Sequence, residues 1–350
     1  MALLAALGLA SLLGCGAAAL PHGADAASCG TCHAAQHAAW STTAHASSAA
    51  SPVLLALLPR VEAAWGPSAR ARCVACHAPG FGGDDGIGCV ACHGAVGNRG
   101  MANGALVVSV DAPLAGTRAV RNAAHDVAPR GFLRASALCG TCHEVHGPGL
   151  LEEPTHAEFT ASRFTDGDDC ITCHVARDGD RHALVSVDPP WGASGVKAAR
   201  AASATTALWA KALSLSVTVV PGTAVVRLEN TGAGHAVPTG ATHLRDAWVD
   251  VQLTGAGGAR VTVPRVMELG AQLTREGREV PLVTDADAVT PRSLAPGEVR
   301  AVSVRLPSGT VAVRAVLSAR AVRAAALDAL GLSALAGEVP VLGVAEAEVR

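Results

Sequence analysis

The sequence predicts two unlike halves, an N-terminal domain of mostly loop and short α-helices and a C-terminal all-β immunoglobulin-like sandwich. Three observations predict this. Ten of the eleven cysteines lie between positions 29 and 173, all in one repeated pattern. Beyond Pro190 there is no cysteine, and apolar residues alternate with polar ones at the period of a half-buried strand. Half of the 350 residues are hydrophobic, yet there are only five Trp, four Phe and no Tyr. Side chains alone would therefore build a thinly packed core of Ala and Val, so something else has to fill the first half.

The repeated pattern identifies the filler. It reads Cys29-Gly-Thr-Cys32-His33, Cys73-Val-Ala-Cys76-His77, Cys89-Val-Ala-Cys92-His93, Cys139-Gly-Thr-Cys142-His143 and Cys170-Ile-Thr-Cys173-His174. C-x-x-C-H is the attachment signature of c-type haem. Two thiols at this spacing add to the two vinyl groups on one porphyrin edge, and the adjacent imidazole swings under the ring to bind iron. A lone C-x-x-C would also suit a zinc site, a redox dithiol or an iron–sulfur centre. Five copies, each followed by His, do not suit them, and a disulfide framework has no need of the histidines. Five covalently bound haem c groups are expected. The second and third motifs begin 16 residues apart, so their porphyrins are expected to be close neighbours.

An iron that only transfers electrons needs a sixth ligand, usually His or Met. Beyond Met1 the chain has only Met101 and Met267, whereas nine histidines remain after the five proximal ones. Bis-histidine ligation is expected, which favours low reduction potentials. Spacing does not say which of His22, His37, His45, His125, His146, His156, His182, His235 and His243 serve.

A resemblance narrows the choice. The stretch from Cys29 through Trp40 and Ser41 to His45 resembles the opening module of multihaem cytochromes related to the small tetrahaem cytochromes that accept electrons from hydroxylamine oxidoreductase. Those proteins carry W-x-x-S-x-H after the first motif, and here the Ser is shifted. Gly86 to Gly94 and Ser136 to His143 resemble two further segments of that family, and Glu158 to His182 resembles its last haem module. The resemblance spans roughly residues 27–190. It implies distal ligation by His45, His182 and His125, the last lying upstream of the fourth motif. The segment Gly234-His235-Ala-Val-Pro-Thr-Gly240 resembles the G-H-x-x-P-T-G loop of β-domains appended to some multihaem cytochromes, which implies a ligand role for His235. His146, three residues past His143, completes the five. His22, His37 and His156 are substitutes; if none serves, one haem is five-coordinate.

The domains expected are a signal peptide with lipobox over 1–15, a pentahaem cytochrome c domain over 16–190, a linker or helix over 191–212, and the β-sandwich over 213–350. In the last, strands are expected at 213–219, 224–229, 247–253, 260–263, 299–306, 311–316 and 339–344, with a short helix near 324–332. The apolar N-terminus ends in Leu12-Leu13-Gly14-Cys15, which resembles a lipobox and marks Cys15 for lipidation. Cleavage after Ala24-Asp25-Ala26 and a misassigned start codon are the alternatives. An exported protein is expected, periplasmic or at the outer membrane through Cys15.

The net charge of −2 offers nucleic acid no electrostatic handle. Electron transfer with redox partner proteins, other cytochromes or a quinol-linked donor, is the expected function. The alternative is a reductase of a small nitrogen or sulfur compound with one open-coordinate haem. The absence of Tyr and of a C-x-x-C-K motif disfavours the hydroxylamine oxidoreductases and the pentahaem nitrite reductases, which depend on them.

Overall fold

In the computed structural model the described residues are 25–80, 86–109, 111–121, 124–167, 169–175, 182–188, 194–337 and 340–349. The expected signal peptide, Cys15 and His22 lie outside them.

The first half is built from short pieces. α1 (Ala26–Gly30) and α2 (Ala34–Trp40) flank the first motif. α3 (Pro52–Trp65) and α4 (Pro67–His77) follow, joined at Gly66, whose φ of +85° suits a residue without Cβ. Pro opens each of the two helices, where its missing N–H costs no intrahelical bond. α5 (Cys89–His93), α6 (Ser136–Gly140), α7 (Thr155–Thr160) and α8 (Cys170–His174) are one or two turns long. Asp169 and Thr172 form a reciprocal capping box that starts α8. Between them lie three short strand pairs that the sequence pattern does not predict: β1 (Ala95–Asn98) with β2 (Leu106–Val108), β3 (Leu114–Gly116) with β4 (Val127–Pro129), and β5 (Val145–His146) with β6 (Glu152–Glu153).

α9 (Gly195–Ala212) runs straight into β7 (Leu213–Val220), so the expected linker is a helix docked on the second half through Trp209. β8 (Thr223–Asn230), β9 (Asp246–Gly255), β10 (Arg260–Arg275), β11 (Arg278–Glu279), β12 (Ala288–Pro291), β13 (Val299–Arg305), β14 (Thr310–Arg320), α10 (Ala324–Ala329) and β15 (Val341–Glu348) complete the chain. One sheet has the order β13-β8-β7. The other has the order β11-β10-β9-β14-β15, with β12 also on β10, and every pairing in both is antiparallel. β10 runs well past the expected 260–263. Its register shifts between Val263 and Met267, where Pro264 cannot donate to the ladder and Arg265 has φ of +47°.

The inner faces of the two sheets share one apolar cluster that includes Val226, Leu228, Val249, Val251, Leu269, Val313 and Leu317. A second cluster joins the halves, packing Val53 of α3 against Leu244, Leu282, Val322, Ala326 and Leu327. Arg60 of α3 donates to the Ala329 carbonyl at 2.8 Å across the same boundary. Apart from Val53 and its neighbour Leu57, the first half supplies almost nothing to either cluster; its other buried apolar residues are scattered and mostly small, with Ala26, Ala39, Ala69, Ala91 and Ala115 beside Leu58, Val61, Val90 and Val175.

Candidate haem-binding site

Each C-x-x-C-H motif closes on itself as about one helical turn. The His33 and His143 amides bond the carbonyls of Cys29 and Cys139 at 2.9 and 2.8 Å, and the other three motifs end their helices at the His. Cysteines three residues apart on such a turn share one face of it.

Four motif histidines each face a histidine from elsewhere in the chain. Ring centroids are 6.1 Å apart for His33 and His125, 6.2 Å for His143 and His45, 6.0 Å for His93 and His182, and 6.0 Å for His174 and His235. Two imidazoles that each bind one metal through Nε2 at ~2 Å have centroids about 6 Å apart, so all four gaps fit an iron between the rings. Direct ring stacking would bring them closer.

The ring orientations suit the same role. Nδ1–H of His93 donates to the Ala115 carbonyl at 2.8 Å, that of His174 to Val185 at 2.9 Å, and that of His235 to Ala236 at 2.9 Å. This tautomer leaves the Nε2 lone pair for a metal. Burial holds several of these rings neutral. The His45 pKa is lowered to about 4 and that of His143 to about 3, chiefly by desolvation, with neighbouring imidazoles adding to it.

Local packing fixes the distal residues. Trp40 donates its indole N–H to Ile87 at 2.9 Å, and the Ile87 amide bonds the His45 carbonyl at 3.1 Å. Gly86, with φ of +66°, sits where a Cβ would strike Ser48 and the His45 carbonyl. The His235 loop is pinned to the first half by Glu158, which accepts from the Ala236 amide at 2.9 Å. Arg163 donates to the Thr231 carbonyl at 2.8 Å, and the Thr155 and Thr239 hydroxyls share a bond of 2.7 Å. A Cβ on Gly234 would lie 2.8 Å from the Phe159 ring, so only glycine allows this approach.

Among the described residues His146, the expected fifth distal ligand, meets carboxylates and no imidazole. It lies on the surface, with Nε2 3.1 Å from Glu144 and Nδ1 2.8 Å from Glu152. His37 packs on Trp40 at 5.6 Å, and His156 lies against Gly140. His243 is buried and held neutral, its pKa lowered to about 3 by desolvation and by Arg245 and Arg323. His77 faces no imidazole among the described residues.

The thiols report which motifs are neighbours. Cys89 lies within hydrogen-bonding reach of Cys29, Cys76 of Cys142, and Cys139 of Cys170. By these contacts the second motif has a thiol neighbour in the fourth, the third in the first, and the fourth in the fifth.

A polar cluster near the second motif escaped the sequence reading. Arg245 is buried and grips Asp188 through both terminal nitrogens at 2.6 and 2.8 Å, and it also donates to the Ala321 carbonyl at 2.9 Å. This pair acts electrostatically on His77 and on Glu153. No local motif marks these residues, because the contact joins segments far apart in the chain.

Residues 28–94, which hold the first three motifs, match the family described as cytochrome c554 and c-prime. No curated protein matches the chain. Among solved structures, a penta-heme cytochrome c552 from Thermochromatium tepidum superposes with a TM-score of 0.71 at 19% identity, covering 94% of this chain and 99% of that one. The putative ApaA protein from Bordetella pertussis aligns with a TM-score of 0.17 at 19% identity over 31% of this chain and 76% of that one. Superoxide reductase from Nanoarchaeum equitans aligns with a TM-score of 0.18 at 10% identity over 40% and 92%. Scores this low carry no structural argument. The fold is that of a multihaem c-type cytochrome, shared along nearly its whole length with a penta-heme example.

Proposed function

We propose that the chain binds five haem c groups through its five C-x-x-C-H motifs and relays electrons between redox partner proteins, other cytochromes or a quinol-linked donor. The observation that carries this reading is the set of four imidazole pairs at 6.0 to 6.2 Å, each joining a motif His to a remote His. Haem iron supplies one-electron chemistry, and the chain supplies thiols, neutral imidazoles and close spacing of the motifs. His45, His125, His182 and His235 are the distal ligands in this reading. Export and a lipid anchor at Cys15, periplasmic or at the outer membrane, belong to the same proposal. So does an immunoglobulin-like sandwich, which the order β13-β8-β7 packed against β10-β9-β14-β15 supports.

A second reading is favoured by His77, whose ring meets no partner imidazole among the described residues. The haem held there would keep an open position, as in a reductase of a small nitrogen or sulfur compound. Pyridine haemochrome and intact mass of the purified protein test the first reading, with five haems expected and none overturning it. Electron paramagnetic resonance of the oxidised protein separates the two. Five low-spin signals mean a carrier alone, and a high-spin signal that shifts with nitrite or hydroxylamine means the reductase.

A further inference from the structure

Residues 182–188 form a strap that serves two of the imidazole pairs. His182 opens it and faces His93 at 6.0 Å. Further along, the Val185 carbonyl accepts the Nδ1–H of His174 at 2.9 Å, and the Val185 amide donates to the His174 carbonyl at 2.8 Å. Leu184 bridges to Val175 beside them. One strap thus brings an imidazole to the third motif and orients the imidazole of the fifth.

The strap contains no helix or strand of its own, so its neighbours hold it. Thr205 of α9 donates to the Ser186 carbonyl at 2.7 Å. At the end of the strap Arg245, just ahead of β9, grips Asp188 through both terminal nitrogens at 2.6 and 2.8 Å. Arg245 is buried, and the β half fixes its place. Its side chain donates to the Ala321 carbonyl at 2.9 Å, and its own carbonyl accepts from Arg323 at 3.2 Å. A guanidinium fork on a carboxylate sets direction as well as distance. Breaking the pair would leave a buried charge without its counterpart, which is costly, so the strap keeps one position.

We propose that the Arg245–Asp188 pair is a positioning device through which the β half sets two haems at once, the one between His93 and His182 and the one between His174 and His235. The inference rests on the haem reading above. Arg245 and Asp188 act through the strap and are not ligands themselves. A histidine that donates its Nδ1–H to a carbonyl is a more basic ligand, which favours ferric iron. Slackening the strap draws the Val185 carbonyl away from His174, so the potential of that haem should rise. It also displaces His182, so the low-spin signal of the third-motif haem should shift or give way to a high-spin one.

Paramagnetic resonance and redox titration of the haem-loaded full chain test this with Arg245→Lys, which keeps the charge and loses the fork. The two signals are assigned by the single losses in His182→Ala and His235→Ala. Arg245→Lys should move those two low-spin signals and raise the potential of the His174 haem, with the signals of His33–His125 and His143–His45 unchanged. Four signals that stay in place, or four that move alike, overturn the proposal. Should Arg245→Lys fail to load haem, the double variant Arg245→Met with Asp188→Leu decides, because it removes both charges and leaves neither unpaired. It should move the same two signals, and an unaltered spectrum or a uniform change overturns the proposal. Haem content is measured first: no haem in wild type defeats the haem reading itself, and a full complement with unmoved signals defeats this inference alone.

Discussion

The rings of His174 and His235 stand 6.0 Å apart at an interplanar angle of 27°, one supplied by the last C-x-x-C-H motif and the other by a loop of the β half. With an iron between them they would be a cross-link between the two halves. His235→Ala should convert one low-spin haem signal to high-spin, while His235→Met should keep that haem low-spin and raise its potential. Paramagnetic resonance and a redox titration check both; an unchanged spectrum in His235→Ala would show that the fifth haem draws its sixth ligand elsewhere.

His146 provides the contrasting case. Its ring nitrogens are occupied by Glu144 and Glu152 at the surface. His146→Ala should leave every haem signal in place and change stability by about 1 kcal/mol, because Glu152 is exposed and the buried Glu144 carboxylate keeps the Ala157 amide. His125→Ala and His182→Ala should each cost one low-spin signal.

Leu228 is fully buried between the two sheets. Leu228→Ala removes side-chain volume from a core that cannot collapse fully around it, and the expected loss is ~2–5 kcal/mol by denaturant unfolding. The haem spectrum of the folded variant should match wild type, because Leu228 lies away from the motifs.

His243 predicts how stability varies with acidity. Its folded pKa is lowered to about 3, below the usual 6.5, by burial and by Arg245 and Arg323. The unfolded chain therefore binds one more proton than the folded chain at this residue between those values, so its contribution is complete above pH 6.5 and declines as pH falls toward 3. The slope is about 1.4 kcal/mol per pH unit for one such group. His243→Leu should flatten the acid limb by that amount in unfolding titrations from pH 6 to 4; an undiminished slope would assign it to other groups.

Much of this architecture is legible in the chain itself because its signals are local. Each C-x-x-C-H motif is a single turn, and the alternation over 213–219 and 224–229 reappears as β7 and β8. β10 was under-read because Pro264 interrupts the pattern, while the structure absorbs it in a register shift and continues to Arg275. The pairs β1–β2, β3–β4 and β5–β6 are too short to show a period. Distal residues are harder to read, because an imidazole that meets its partner across space leaves no spacing behind. His45, His125, His182 and His235 rest on resemblance, since no spacing points to them. Arg245, Asp188 and Glu153 carry no signature, since their meaning comes only from being brought together.

The dependence of His174 on His235 has a consequence for biogenesis. In the proposed arrangement, a nascent chain that has emerged only as far as the last motif already holds every attachment thiol, yet its final haem still waits for an axial partner. That partner arrives only after α9, β7 and β8 have been made, so the β half acts as a late checkpoint on assembly. A chain truncated before Leu213 would still accept five porphyrins, but would leave the one at its end unfinished and open to exogenous ligands.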